Sequence, residues 1–101
     1  MRIATWNVNS LKARMPRVVD WVNRFNPSVL CIQETKMASD AFPHSVFKEM
    51  GYESVHNGEG RWNGVAILSN VGLDDACYGF DDGKPEDPDA RIIWATCNGV
   101  R

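Results

Sequence analysis

From Arg2 to Val8 the chain alternates with a period of two: Ile3, Thr5 and Asn7 fall on one side, Ala4, Trp6 and Val8 on the other. That period predicts a strand, and its apolar content predicts an internal one. Pro16 then suits a first helical turn. Val18, Val22 and Phe25 follow at helical spacing, Val19 and Trp21 widen the stripe, and Asn26-Pro27 ends it. Ser28 to Glu34 is apolar until its last two residues and reads as a second strand. Strand, helix and buried strand in this order outline a β-α-β unit, with two parallel strands joined by a right-handed crossover.

Farther along, a short helix is predicted from Pro43 to Met50, closed by Gly51. Tyr52 to His56 and Gly64 to Ser69 read as strands joined by the loop Asn57 to Asn63, and Arg91 to Cys97 as another strand. Asn98-Gly99 is the strongest short hairpin signal. Only Val100 and Arg101 follow it, and an internal strand without its partner is an aggregation liability. We therefore expect residues 1–101 to be the N-terminal part of a single longer domain, cut just after a hairpin turn.

Composition narrows the class. With 101 residues, 44% hydrophobic and 24% charged, the chain is globular in character and too short for two domains. No stretch approaches the roughly 18 apolar residues of a membrane span, and the Met1 region lacks the order of a signal peptide, so the expected compartment is the cytoplasm. Cys31, Cys77 and Cys97 show neither paired spacing nor nearby histidines, and we expect three small buried apolar residues. The net charge of −2 conceals an asymmetry. Residues 1–48 hold seven Lys/Arg against three Asp/Glu, and residues 49–101 hold four against ten, many of them in the loop Asp81 to Asp89. A basic first half can create a local positive field for a phosphate ligand, although any one of these residues can equally belong to a solvated face.

Ligand sites of open α/β sheets lie at the carboxyl ends of the parallel strands. Asn7 and Glu34 both fall there, each ending an apolar strand with a polar side chain. Singly, Asn7 reads as a turn former and Glu34 as a surface residue. Together with Asn9 and Lys36 they form a polar cluster suited to a magnesium–phosphate site, since Mg²⁺ takes oxygen ligands and is often held by one or two carboxylates plus substrate phosphate.

Thr5-Trp6-Asn7-Val8-Asn9-Ser10-Leu11-Lys12-Ala13-Arg14, Leu30-Cys31-Ile32-Gln33-Glu34-Thr35-Lys36, Gly64-Val65-Ala66-Ile67-Leu68-Ser69 and Asp89-Ala90-Arg91-Ile92-Ile93 resemble, in this order and spacing, the exonuclease III family of DNA-repair nucleases, which includes the apurinic-apyrimidinic endonucleases. The first two motifs are specific; the third alone resembles any buried strand. The resemblance implies a four-layer α/β sandwich of the DNase I-like kind, of which this chain supplies the first part. It implies Mg²⁺-dependent hydrolysis of DNA phosphodiesters, by 3′→5′ exonuclease action and by incision at abasic sites, with Mn²⁺ as a possible substitute. The implied partner is double-stranded DNA, especially at abasic sites or 3′-blocked ends, and the implied state a monomer.

Residue by residue, the resemblance assigns Glu34 as the metal-binding carboxylate. Asn7 joins Glu34 as a catalytic and metal-site residue, contacting the active-site phosphate and helping to orient its catalytic partners. Asn9, placed among the DNA-contacting residues, matches a position near the metal that is Asp in some relatives. Lys12 and Ala13 match a segment that touches the DNA backbone, and Lys36 is placed to offset phosphate charge. Trp62, preceded by Arg61, matches a loop position that lies against DNA, and it can also be read as an ordinary exposed aromatic. Arg91 supports the site. The family's Tyr, its Asp-x-Asn segment and its closing Asp-His pair have no counterpart here, and His44 and His56 fall in the wrong context to replace them, which leaves them structural or solvent-facing roles. The 101 residues alone are therefore expected to be inactive, since one positioned acid–base group is worth about 10²–10⁴ in rate. Two alternatives stay open: a phosphatase or phosphodiesterase acting on a small phosphoester, and a non-catalytic fragment if the chain truly ends at Arg101.

Overall fold

The computed structural model describes residues 1–78 and 93–101. The acidic loop Asp81 to Asp89 and Arg91, singled out above, lie outside the described residues.

β1 (Ile3–Asn7), α1 (Leu11–Phe25) and β2 (Val29–Gln33) build the expected unit, with β1 and β2 parallel and in register from Ile3 opposite Val29 to Asn7 opposite Gln33. A single 3-10 turn (Ser39–Ala41) and α2 (His44–Glu49) lead to β3 (Glu53–Asn57) and β4 (Val65–Ser69). β4 pairs antiparallel with both β2 and β3, so the first sheet has the order β1-β2-β4-β3. Among the described residues β1 is thus an edge strand rather than an internal one, and Ile3 is 56% exposed. α1 covers only the Ala4 and Trp6 side of the strand.

The period-two pattern sorts each strand between two cores. Leu30, Ile32, Ala66 and Leu68 face Leu11, Val18 and Val22 of α1, Phe47 of α2, Phe42 and Tyr52. Val29, Cys31, Val55 and Ile67 face the opposite way, toward Ala95, Cys97 and Ile93. Ala95 and Ile93 belong to a second, two-stranded sheet of β5 (Asp74–Tyr78) and β6 (Ile93–Thr96), antiparallel with a bulge between Asp74 and Cys77, and Cys97 follows β6 directly. Helices, the four-stranded sheet and the two-stranded sheet are three layers of the expected α/β sandwich. No described helix is long and apolar enough to cross a membrane.

Two further expectations need correction. α1 begins at Leu11, not at Pro16, because the Ser10 hydroxyl caps the helix by accepting from Ala13 N–H and Ser10 C=O accepts from Arg14 N–H. Pro16 sits in the second turn, where it withholds one backbone hydrogen bond from the helix. Of the three cysteines only Cys97 is buried; Cys31 and Cys77 are half-buried. Burial and the neighbouring Cys97 still push the Cys31 thiol upward, so it is protonated at neutral pH. The second sheet's β5 has no hydrophobic signature, since it opens on Asp74-Asp75 and bends at Asp75, whose φ is +53°.

The turn at Asn98-Gly99 forms as expected. Asn98 and Gly99 both have positive φ, and Cys97 and Val100 exchange backbone hydrogen bonds of 2.7 and 2.9 Å. At the other end of the sheet, Tyr52 Oη donates to the Pro27 carbonyl (2.5 Å) and ties the exit of α1, where Asn26 takes a left-handed conformation, to the start of β3.

Because Pro16 costs α1 a hydrogen bond at an exposed position, Pro16→Ala is expected to stabilise the chain by about 1–3 kcal/mol. A shift of the urea unfolding midpoint to higher concentration, without a change in slope, is the measurement.

Candidate active site

Parallel pairing puts the carboxyl ends of β1 and β2 side by side, and both strands leave the sheet there on polar residues. Asn7 Nδ2 donates to Glu34 Oε2. Asn7 Oδ1 in turn accepts from Asn9 N–H at 3.1 Å, so the amide's oxygen is held by its own loop and its NH₂ is aimed at the carboxylate. Lys36 Nζ donates to Asn9 Oδ1. Asn7, Glu34, Asn9 and Lys36 therefore form one connected rim.

The two loops are tied by their backbones as well. Val8 N–H donates to Gln33 C=O, Ser10 N–H to Glu34 C=O and Leu11 N–H to Thr35 C=O, at 2.9–3.0 Å. The third strand joins in from β4's entry: Thr35 N–H donates to Gly64 C=O (3.1 Å) and Lys36 N–H to Asn63 C=O (2.8 Å). Asn9, Ser10, Glu34, Lys36 and Asn63 all have φ between +46° and +94°, a cluster of left-handed residues that L side chains adopt at a cost.

Around this rim the remaining candidates fall close in the chain path. Lys12 and Ala13 lie exposed in the first turn of α1, directly after the capping residue Ser10. Arg61 and Trp62 sit exposed on the loop that ends at Asn63, with Trp62 67% accessible. The base of that loop is fixed: Gly58 N–H donates to Ser39 Oγ, Ser39 Oγ donates to Gly58 C=O, and Asn63 Nδ2 donates to Glu59 Oε1. No described side-chain bond joins Arg61 or Trp62 to the quartet.

Neither histidine belongs to the quartet. His44, exposed at the start of α2, bonds Ser54 Oγ through Nδ1 (2.7 Å). His56 on β3 is buried, stacked on Phe42 with ring centroids 4.6 Å apart, and its Nε2 shares a 2.7 Å hydrogen bond with Thr35 Oγ1. Burial, and secondarily the charge of His44, lower the His56 pKa from 6.5 to about 4 against a smaller opposing contribution from the Ser39 backbone. Sequence reading missed Thr35, His56 and Gly64 as parts of the site, although a histidine in a strand facing a buried threonine could have marked the pair.

Chemically the rim offers one carboxylate, two amides and an ammonium. Among the described residues no group of three or more His, Cys, Asp or Glu side chains could hold a metal by itself. A single carboxylate with open space fits a hard cation that keeps waters and takes further oxygens from a bound phosphate.

Comparison with known proteins places the chain among nucleases and phosphatases of one family. The Endonuclease/Exonuclease/phosphatase family matches residues 4–97. Exodeoxyribonuclease III of Haemophilus influenzae is 33% identical over 95 residues, covering 94% of this chain and 35% of that protein. The 3′ phosphatase NExo from Neisseria, solved with a product DNA hairpin, superposes with a TM-score of 0.92 at 40% identity, over 98% of this chain and 38% of that one. An AP endonuclease from Archaeoglobus fulgidus gives 0.90 at 39% identity, again over 98% and 38%. The chain thus spans little more than a third of the length of these relatives.

A lowered His56 pKa means that the unfolded chain binds the proton more tightly than the folded one. Stability contributed by the neutral ring is then fully present above about pH 6.5, declines as the pH falls toward about 4, and changes no further below. The expected outcome is a steeper acid loss of stability across this window in the wild type than in His56→Gln, read as the difference between their urea midpoints from pH 7 to pH 4.

Proposed function

The chain belongs to the Endonuclease/Exonuclease/phosphatase family, and on that premise we propose that the whole protein is a divalent-metal-dependent DNA-repair nuclease to which this chain contributes the carboxylate half of the active site. The observation that carries this reading is the direct hydrogen bond between Asn7 and Glu34 at the adjoining ends of two parallel strands. The exodeoxyribonuclease III, AP endonuclease and DNA-bound 3′ phosphatase similarities support the substrate class.

Glu34 would hold Mg²⁺ or Mn²⁺, with Asn7 fixing the carboxylate's orientation through Nδ2 and leaving the other carboxylate oxygen to the cation. When bound, the cation supplies a Lewis acid that stabilises charge on the phosphate and on the leaving oxygen. Lys36, oriented by Asn9, sets an ammonium beside the same phosphate and offsets its charge in the transition state. In the hydrolysis a water oxygen bonds to phosphorus as the bond to the leaving oxygen breaks. The proton taken from that water needs a base outside this rim, since His56 is buried and His44 is held on β3. The Asp-x-Asn and Asp-His segments of the exonuclease III family would supply it.

A polymeric substrate accounts for the rest of the surface. Lys12, Ala13, Arg61 and Trp62 are exposed on two segments that adjoin the rim in the chain, the first turn of α1 after Asn9 and the loop that ends at Asn63. That spread suits a duplex whose phosphates run past the reacting one, with Trp62 offering an aromatic face to bases or sugars. An abasic site or a blocked 3′ end would present an accessible phosphodiester or phosphomonoester without an intervening base.

In the whole protein, cleavage of a duplex with one abasic site is expected to need Mg²⁺, to stop with chelator, and to fall at least about 100-fold in Glu34→Gln. The 101-residue chain alone is expected to leave the duplex intact. Binding should weaken steeply with salt as counterions are released, whereas a small phosphoester would show a shallow dependence. Cleavage indifferent to chelator and to Glu34→Gln would overturn the proposal.

A further inference from the structure

We infer that the buried Thr35–His56 hydrogen bond is the positioning device of the candidate metal site, holding the Glu34-Thr35-Lys36 turn in the left-handed backbone that aims both charged side chains at the rim. The inference rests on the reading of Glu34 as the metal carboxylate and extends it to residues to which that reading gives no role.

Glu34 and Lys36 each have φ +54°, and the residue between them is 0% exposed. A turn with two non-glycine residues in this region relaxes toward ordinary backbone unless its surroundings hold it. Thr35 is that hold. Its N–H and C=O bond Gly64 and Leu11, linking the entries of β4 and α1, and its hydroxyl reaches across to His56 on β3. His56 has little freedom of its own: it is 5% exposed, stacks on Phe42, and bonds Thr35 Oγ1 through Nε2.

The neighbouring glycines fit around this pair. A Cβ at Gly64, whose φ is +99°, would overlap Thr35 Oγ1, and one at Gly58 would overlap the Met37 carbonyl and the His56 ring. Two loops are thus trimmed to let the threonine and histidine meet. The lowered pKa of His56 keeps the ring neutral near pH 7, so no second charge lies behind the Glu34–Lys36 turn.

The test uses the ¹⁵N-labelled whole protein, with Thr35→Val to remove the hydroxyl at constant size, Thr35→Ser to keep it, His56→Gln and Glu34→Gln. Amide exchange reports the turn directly, and Mn²⁺ titration, followed by paramagnetic broadening, reports the site. Thr35→Val and His56→Gln are expected to speed exchange at Ser10, Leu11, Thr35 and Lys36 at least about tenfold relative to β4 amides. They are also expected to weaken Mn²⁺ binding by about 10–100-fold, the usual range for groups that orient a ligand. Thr35→Ser should restore both. A Thr35→Val chain with a lower urea midpoint but unchanged exchange at these four amides and unchanged Mn²⁺ affinity would show a merely structural threonine and overturn the inference. Should Mn²⁺ binding prove absent, or indifferent to Glu34→Gln, the metal reading fails; the exchange data then decide by themselves whether the pair holds the turn.

Discussion

Everything at the candidate site depends on β1 and β2 running parallel and adjacent. An antiparallel pair would put Asn7 and Glu34 at opposite ends of the sheet, some five residues or about 17 Å apart. Parallel pairing brings them into direct hydrogen-bond contact, and α1, as the crossover, returns the chain so that its first turn begins beside the same edge. The same helix supplies Leu11, Val18 and Val22 to the core. Site and core are therefore built by one element, and the packing that stabilises the sheet also sets the site's geometry.

The edge is costly backbone. Five residues around it take positive φ, and nearly every one is tied by a backbone hydrogen bond to a neighbouring loop. Such a concentration of left-handed residues is expected where polar groups must be presented away from the sheet, because the ordinary exit from a strand would turn the next side chain back along its face. Gly64 is required by close approach to Thr35 as much as by its own φ of +99°. The stacked Phe42 and His56 lie on the helix-covered side of the sheet, so the site is braced from within the core.

Much of this was legible in the chain itself. Strand periodicity locates β1, β2, β3 and β4 within a residue or two, and Asn7 and Glu34, the polar residues closing two apolar strands, mark the candidate site. The start of α1 was not legible, because a proline signals a first turn and here the cap is Ser10, in an unusual backbone conformation with φ +94°. β5 was hidden by Asp74-Asp75, which look like loop and pair only through a bulge. The place of β4 between β2 and β3, and with it the Thr35–His56 bond, comes from the pairing of β4 with β2, a segment more than thirty residues away, to which a local pattern is blind. The two cores on opposite faces of one sheet were implied by alternation, but the exposed Ile3 shows that alternation does not say which face a neighbour covers.

Whether the convergence of Asn7 and Glu34 creates a divalent-cation site is decided by a crystal of the protein soaked in Mn²⁺, with anomalous scattering recorded above the manganese edge. An anomalous peak is expected at coordination distance from a Glu34 carboxylate oxygen, on the side away from Asn7 Nδ2, and is expected to be lost in Glu34→Gln. A fully occupied Mn²⁺ elsewhere on the chain, with the Glu34 carboxylate still bonded only to Asn7, would contradict such a site.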